Sequence, residues 1–158
     1  MSTPTPTLEF PTHIPFGRLL GLELLRYEGG ECEIRLVPRA ELLNSWNVMH
    51  GGATMTLLDV CMAHAARSDS PGDAEHVRAA ATIEMKTSFV RPGVGTLMCR
   101  SRVLHRTSTM AFVEGRVDDE KGNLVAHGTG TFKYLRAMPV GESHVMPLNP
   151  KEPPGGQA

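Results

Sequence analysis

The segment Gly51–Arg67 restricts the fold of this chain more than any other stretch. Apolar residues cover most of its circumference, and a rise of about 1.5 Å per residue gives a helix of roughly 25 Å. A helix that is apolar nearly all round is buried on most sides. Since 158 residues make one domain, the segment predicts a central helix that other elements wrap.

A single acid, Asp59, stands in the middle of this helix, between Leu57, Leu58, Val60 and Cys61. Removing a carboxylate from water is costly unless the group is paired, hydrogen-bonded or protonated. We therefore expect Asp59 to have little access to water and take it as the first candidate for chemistry. The alternative is a structural acid that a neighbouring hydroxyl or arginine satisfies.

The charge pattern narrows the class of protein. The 16 basic and 17 acidic residues are interspersed and sum to −1, which argues against a nucleic-acid or membrane partner. The first residues lack the basic and apolar regions of a secretory signal. The three cysteines form no CxxC pair, so neither a disulfide framework nor a zinc site is indicated, and we expect a cytoplasmic location. The histidines show no metal-ligand spacing and no nucleotide fingerprint is present, so no cofactor is predicted.

Both ends of the chain are rich in proline, glycine and polar residues, a composition typical of unstructured tails. We predict a disordered N-terminal tail over residues 1–12 and a Pro/Gly-rich C-terminal tail over residues 137–158. One compact domain is expected over residues 13–136.

Alternation of apolar and polar residues predicts the remaining elements. A short helix over 14–21 and two strands over 22–27 and 32–38 precede the long helix. Four alternating runs follow it, at 77–90, 96–105, 111–117 and 124–134. They resemble consecutive antiparallel strands joined by tight turns. The order of elements predicts an α+β fold in which one curved antiparallel sheet surrounds one long helix.

A set of residues at fixed spacing carries a family resemblance. It comprises Asn44, the tripeptide His50-Gly51-Gly52, Asp59, and the later strands 82–93 and 122–132. In these residues the chain, over about 14–135, resembles the hotdog-fold acyl-CoA thioesterases related to 4-hydroxybenzoyl-CoA and phenylacetyl-CoA thioesterase. The resemblance implies hydrolysis of an aromatic or medium-chain acyl-CoA to free acid and CoA. Coenzyme A would enter only as part of the substrate.

The start of the long helix suits the chemistry of thioester hydrolysis. The amides of Gly51 and Gly52 have no partner within the helix, point along its positive end and carry no side chain. They could therefore stabilise the oxyanion that develops on a thioester carbonyl. The alternative is that the glycines only permit a tight turn. Asp59 would act as general base or as nucleophile, two roles between which the sequence does not choose.

Spacing along the helix sets a condition on any such site. Eight residues separate Gly51 from Asp59, which is about 12 Å along the axis, whereas reacting atoms must lie about 3–3.5 Å apart. One helix therefore cannot supply both groups to one thioester. We expect a dimer in which Asp59 of one subunit faces Gly51 of the other. The resemblance also implies a homodimer or a dimer-of-dimers tetramer.

The resemblance implies further roles near this helix. Asn44 corresponds to a position that holds water or orients the site, with an ordinary turn residue as the alternative and Asn47 as a competitor by residue type. His50 would support the site or cap the turn. Thr82 matches a position for a small hydroxyl, although threonine is also a common strand residue.

A further set of residues is expected to contact the substrate. Basic or hydroxyl-bearing turns could hold the CoA phosphates, and the helix could line an acyl pocket. The candidates are Gly52, Met55, Leu58, Met62, Arg91, Arg106, Thr107, Ser108, Lys133 and Arg136. Two other functions remain open: a hydratase or dehydratase on the same fold, which the Gly-Gly after His50 disfavours, and a non-catalytic acyl-CoA sensor, which Asp59 disfavours.

Overall fold

The computed structural model describes residues 6–68 and 79–135, together with the backbone of two short strands near the C-terminus. The helices are α1, Pro15–Leu20, and α2, Gly51–Arg67, with a single 3-10 turn at Ala40–Leu42 between them. The strands are β1 Leu22–Glu28, β2 Glu31–Leu36, β3 Ala79–Phe89, β4 Leu97–Arg106, β5 Met110–Asp118, β6 Leu124–Leu135, β7 Met138–Val140 and β8 His144–Met146. The bounds of the central helix are those predicted.

Six strands form one antiparallel sheet in the order β1-β2-β4-β5-β6-β3. The expectation that the last four strands pair consecutively holds for β4, β5 and β6 but is wrong for β3. That strand pairs with β6 at the far edge of the sheet, and β2 pairs with β4 instead. Alternation along a strand indicates which residues face the core but carries no information about which strand lies beside it.

The helix α2 packs on one face of the sheet and contacts all six of its strands. Its fully buried Leu58 and Met62 lie over β5, where a Cβ added to Gly115 would be 3.1 Å from each side chain. Glycine at 115 thus leaves room for the close approach of these two helix side chains. The prediction that Leu58 and Met62 line an acyl pocket is therefore wrong for the protomer: both are core residues. The packing of the long helix α2 on one six-stranded antiparallel sheet confirms the predicted α+β hotdog fold.

One side of α2 is not covered by the protomer. Gly52, the adjacent pair Met55 and Thr56, Asp59 and Ala63 follow one another at intervals of three or four residues, and all are exposed or half-buried. We call this row of residues the open stripe. The expectation that the helix is buried nearly all round is wrong on this side, because the sheet of one chain covers only the opposite face. None of the described helices is long and apolar enough to span a membrane.

Parts of the two segments predicted to be tails lie within the described structure, and they form hydrogen bonds. The amide of Leu8 donates to the carbonyl of Leu24 at 2.7 Å, and the buried hydroxyl of Thr12 accepts a bond from Arg67 at 3.2 Å. Residues 6–12 therefore pack along β1 and the end of α2, contrary to the prediction of a disordered segment. Strands β7 and β8 pair with each other within the region expected to be a tail. Average composition misses such contacts, because a few apolar or backbone groups suffice to make them.

Candidate active site

Backbone hydrogen bonds fix the turn that leads into α2. The amide of His50 donates to Leu42 at 2.8 Å, and the amide of Met49 donates to Gly93 at 2.9 Å. His50 itself has extended dihedral angles, as a helix N-cap requires. The two bonds connect the start of the helix to the 3-10 turn on one side and to the segment after β3 on the other. The position of Gly51 is therefore determined by contacts with two other parts of the chain.

The ring of His50 caps the helix. Its Nδ1 accepts a hydrogen bond of 2.9 Å from the amide of Gly52. A ring nitrogen that accepts carries no proton, so a neutral His50 holds its proton on Nε2. The Gly52 amide is thus already engaged, contrary to the expectation that it contacts substrate. For the amide of Gly51 no acceptor is found among the described residues, which leaves it at the positive end of the helix.

Asp59 and Thr82 form the second part of the site. The hydroxyl of Thr82 donates to Oδ1 of Asp59 at 2.7 Å. The acid lies on the open stripe and is half-buried, so the prediction that it has little access to water is wrong for the single protomer. One carboxylate oxygen is held by the threonine, and the other oxygen has no protein partner among the described residues. Thr82 therefore fixes the orientation of the Asp59 carboxylate, and the second carboxylate oxygen is accessible to other groups.

A bulge in β3 aims Thr82 at the helix. Thr82 pairs with Phe132 and Glu84 pairs with Thr131, so Ile83 is an extra residue between them. Phe132 is fully buried under the helix, and the side chain opposite it on β3 points the same way. Beyond the bulge, Glu84 turns to the outer face and accepts a 2.8 Å bond from the Thr131 hydroxyl. One inserted residue thus changes the face on which β3 presents its side chains.

Phe89, at the end of β3, was not predicted to belong to the site. A Cβ added to Gly51 would lie 3.5 Å from the ring of Phe89, so the ring packs against the first residue of α2. More than half of the Phe89 side chain is nevertheless exposed. The alternation of Met85, Thr87 and Phe89 was the available signal, since it places all three on the face that carries the helix.

The two halves of the candidate site lie at opposite ends of the same strand. Thr82 holds Asp59 at the start of β3, and Phe89 contacts Gly51 at its end. Two clefts in the protomer, of about 410 and 800 Å³, lie on the outer sheet face and beside the N-terminal segment. Neither cleft includes Gly51 or Asp59. The open stripe thus lacks a second wall in the single chain.

Asn44 has the contacts of a turn residue. Its Oδ1 accepts bonds from the amides of Trp46 at 2.9 Å and Val48 at 3.3 Å. Asn47 completes this turn with a positive φ of 57°, a conformation that asparagine tolerates better than most residues. The loop holds Trp46 almost fully exposed, with 81% of its surface open to solvent. The structure therefore supports the structural alternative for Asn44.

The expected phosphate contacts are scattered. Arg106 lies at the other end of α2, where its Nη2 donates to the carbonyls of Ala65, Ala66 and Ser68 at 2.8–3.4 Å. It caps the helix C-terminus, so the prediction that it reaches a phosphate in solvent is wrong. The hydroxyl of Thr107 accepts hydrogen bonds from the amides of Thr109 and Met110, which close the turn between β4 and β5.

The other basic candidates divide between positions. Arg91 is exposed and follows β3 at the end where Phe89 contacts Gly51. Ser108 is exposed in the turn between β4 and β5, and Lys133 is exposed on β6. Arg136 lies outside the described residues. Of these side chains only Arg91 is placed near the start of α2. Within residues 6–68 and 79–135, no three His, Cys, Asp or Glu side chains gather as metal ligands.

Comparison with known proteins agrees with this geometry. The family model described as the thioesterase superfamily matches residues 47–126, which contain the start of α2, Asp59 and Thr82. The chain belongs to the thioesterase superfamily. It is therefore a thioester hydrolase, as the residue pattern predicted. The matched region covers about half of this thioesterase and ends within β6.

Three relatives show how far the similarity extends. This thioesterase is 26% identical to the medium/long-chain acyl-CoA thioesterase YigI of Salmonella typhimurium, over 78% of its own length and 87% of that protein. The conserved protein PA5202 from Pseudomonas aeruginosa is 36% identical with a TM-score of 0.71, and the match covers 79% of this chain and 97% of that one. The BH2602 protein from Bacillus halodurans, solved with CoA, is 33% identical with a TM-score of 0.68, with 79% and 81% covered.

Proposed function

We propose that this thioesterase hydrolyses acyl-CoA esters, with an aromatic or medium-chain acyl group, to the free acid and CoA. Three observations support the proposal. YigI is named as a medium/long-chain acyl-CoA thioesterase, and BH2602 was solved with CoA. The third and decisive observation is the hydrogen bond between Thr82 and Asp59, which presents an oriented carboxylate on the open stripe.

The chemistry follows from the two half-sites. Asp59 takes a proton from a water molecule, whose oxygen forms a bond to the thioester carbon. The carbonyl oxygen becomes negative and is stabilised by the Gly51 amide at the positive end of the helix. Collapse of this intermediate breaks the carbon–sulfur bond, and the proton passes to the leaving CoA thiolate. Direct attack by the Asp59 carboxylate, followed by hydrolysis of the anhydride, is the other route compatible with these groups.

A site of this kind needs two protomers. Gly51 and Asp59 of one helix are about 12 Å apart along the axis, too far to act on one carbonyl. Asp59 of one subunit would therefore act with Gly51 of the partner subunit. The exposed apolar side chains near the open stripe support such an interface, since they would be covered by it. They are Trp46, Met55, Ile83, Phe89, Val90 and Val94.

The CoA moiety would approach from the start of α2. Arg91 is the exposed cation closest in sequence to the Phe89–Gly51 contact, so it is the first candidate for a CoA phosphate. Met55, exposed on the open stripe one turn before Asp59, would line the acyl pocket. Leu58 and Met62 are buried on the sheet side of α2, so they would affect that pocket only indirectly. The mass of the protein in solution would distinguish a dimer from a dimer-of-dimers tetramer.

Release of free thiol from a panel of acyl-CoAs tests the proposal. We expect the wild-type protein to release CoA, and Asp59→Asn and Asp59→Ala to lower kcat by about 10²-fold or more. Glu84→Gln is the matched control, because it removes a carboxylate from the outer face of β3, the strand that carries Thr82. Wild-type rates of thiol release in both Asp59 variants would reject the catalytic assignment.

The same panel separates the two alternative functions. Tight acyl-CoA binding without thiol release by the wild-type protein would indicate a non-catalytic binding module. Addition of water to an unsaturated acyl-CoA, with the thioester intact, would indicate a hydratase. The hydrated acyl-CoA differs from free CoA in mass, and a binding module leaves its acyl-CoA unchanged, so one set of reactions distinguishes the three functions.

A further inference from the structure

The hydroxyl of Thr87, on β3, has no hydrogen-bond partner among the described residues. Its Oγ1 is buried, although the residue as a whole is only half-buried. Buried hydroxyls are nearly always bonded, because removing one from water without a partner costs free energy. Valine has almost the same shape and would avoid this cost. The position therefore carries a polar group that the described part of the protomer does not use.

The surroundings of this hydroxyl explain why it stays without a partner. Thr87 pairs with Gly128 of β6, where an added Cβ would lie 3.6 Å from Oγ1 of Thr87 and 3.5 Å from Cδ1 of Leu58. The hydroxyl thus faces the helix across a glycine, beside a leucine that can neither donate nor accept a hydrogen bond. The backbone of β6 pairs with β3 on one side and with β5 on the other, so it offers no free acceptor here.

Thr87 lies on the wall of the groove between β3 and the open stripe. Phe89, two residues further along the same face of β3, contacts Gly51. Two strand residues span about 6.8 Å, and Met55 stands about 6 Å along α2 from Gly51. Thr87 and Met55 are therefore at about the same depth from the Gly51 amide. An acyl group whose thioester carbonyl reaches that amide would pass both side chains.

Rotation about one bond turns the hydroxyl of Thr87 into this groove. The χ1 angle of threonine has staggered positions, and a change between two of them exchanges the hydroxyl with the methyl at little change of shape. The methyl would then contact Leu58, where an apolar group fits better. In either orientation a hydrocarbon acyl group leaves the hydroxyl unpaired, whereas an acyl oxygen at the same depth gives it a partner.

We propose that Thr87 is a specificity-determining residue, whose hydroxyl selects acyl groups that end in a hydroxyl over hydrocarbon acyl groups of the same size. The inference rests on the proposed hydrolysis of acyl-CoA and defines its substrate class more closely. Selection arises because one acyl group bonds a polar group of the site and the other leaves it unpaired. The thioester chemistry is unchanged, since Thr87 contacts the acyl group and not the reacting atoms.

Two matched pairs of substrates measure this preference. The first pair is 6-hydroxyhexanoyl-CoA and heptanoyl-CoA, and the aromatic pair is 4-(hydroxymethyl)benzoyl-CoA and 4-ethylbenzoyl-CoA. Within each pair a hydroxyl replaces a methyl, so length and shape are kept. We expect the wild-type protein to prefer the hydroxylated member of at least one pair by about 10-fold or more in kcat/KM for thiol release. Equal values within both pairs would overturn the proposal.

Substitutions at Thr87 assign the preference to its hydroxyl. Thr87→Val removes the hydroxyl and keeps the shape, so the preference should disappear or reverse while the hydrocarbon member is still hydrolysed. Thr87→Ser keeps the hydroxyl and should keep the preference. Thr129→Val is the matched control, because it makes the same change at an exposed position of β6. A preference in Thr87→Val as large as in the wild type would exclude the role of Thr87.

Unfolding in urea distinguishes this role from a structural one. If Oγ1 has no partner in the folded protein, Thr87→Val should unfold at the same urea concentration as the wild type or at a higher one. A lower midpoint would mean that the hydroxyl is bonded within the folded protein, and the proposal would fail.

Binding separates the inference from the proposed function. Calorimetry gives the dissociation constants of the four acyl-CoAs for Asp59→Asn, with and without Thr87→Val. A binding preference that Thr87→Val abolishes, without thiol release by the wild type, would reject the hydrolysis and keep the role of Thr87. Thiol release at equal rates within both pairs would keep the hydrolysis and reject the role of Thr87.

Discussion

The hydroxyl of Thr82 donates a 2.7 Å hydrogen bond to Oδ1 of Asp59, joining the start of β3 to the third turn of α2. The bond selects one orientation of the carboxylate on a helix face that is otherwise open. A charge-assisted hydrogen bond of this length is among the stronger contacts that a side chain makes. As a result, the Asp59 carboxylate points towards the space next to the open stripe.

Two substitutions at Thr82 distinguish the effect of its hydroxyl from the effect of its side-chain shape. Thr82→Val keeps the branched side chain but removes the donor, so we expect kcat to fall about 10-fold with little change in KM, because Asp59 loses its orientation. Thr82→Ser keeps the donor and should recover most of the rate. Steady-state thiol release measures both variants. If serine and valine lower kcat equally, the hydrogen bond has no part in catalysis.

The cap at His50 predicts a loss of stability. His50→Ala leaves the Gly52 amide without its 2.9 Å partner, so the free energy of unfolding should fall by about 0.5–2 kcal/mol. His50→Asn supplies a good N-cap and should restore most of this stability. Urea unfolding measures the difference. An alanine variant as stable as the wild type would show that the ring does not cap the helix.

Comparing activity in the same two variants adds a second result. If the ring of His50 only caps α2, His50→Asn should be nearly as active as the wild type. A stable but inactive His50→Asn would instead give the Nε2–H group a role at the thioester.

A buried histidine predicts how stability depends on pH. Burial, with nearby Arg67 as a smaller cause, lowers the pKa of His64 from 6.5 to about 4. Its Nδ1 donates to Val60 at 2.7 Å, and its ring packs edge-on against Phe10 and Tyr27. Between these pH values the unfolded chain binds a proton that the folded chain does not, so unfolding free energy falls as pH falls from 6.5 towards 4.

The variant His64→Leu isolates this contribution. Between pH 6.5 and pH 4, the unfolding free energy of the wild type should fall by up to about 3 kcal/mol more than that of the variant. Urea unfolding at several pH values measures both slopes. Identical slopes would mean that His64 titrates alike in the folded and unfolded chains.

Much of the fold could be predicted because its signals are local. The bounds of α2 follow from Gly51 and from the apolar run behind it, and Gly21 ends α1 in the left-handed conformation with φ of 74°. The pairing of β3 with β6 could not be predicted, since alternation does not identify the neighbouring strand. The bulge at Ile83 was equally hidden, because it depends on the partner strand.

The site was predictable in its residue types more than in its contacts. The spacing of Gly51 and Asp59 predicts a second subunit without any structure. The residues that were wrongly assigned to substrate contacts share one physical cause: each already has a partner within the folded protein. Three carbonyls at the end of α2 bind Arg106, and Gly115 leaves room that Leu58 and Met62 fill. Sequence does not reveal such competition for a side chain.

The central claim is that each active site combines Asp59 with the partner's Gly51. Gly51→Pro removes the amide hydrogen with little harm to the helix, since proline suits the first helical position and His50 is already extended. We expect Gly51→Pro to be nearly inactive. Gly51→Ala, which keeps the amide and meets Phe89 at an ordinary 3.5 Å, should remain active.

Mixing the two inactive proteins Asp59→Asn and Gly51→Pro tests the claim most directly. A mixed dimer would contain one intact site, made from the unchanged Asp59 of one chain and the unchanged Gly51 of the other. After complete subunit exchange, thiol release should rise to about a quarter of the wild-type rate, because half of the dimers are mixed and half of their sites are intact. No recovery in a mixture shown to contain mixed dimers would contradict the shared site.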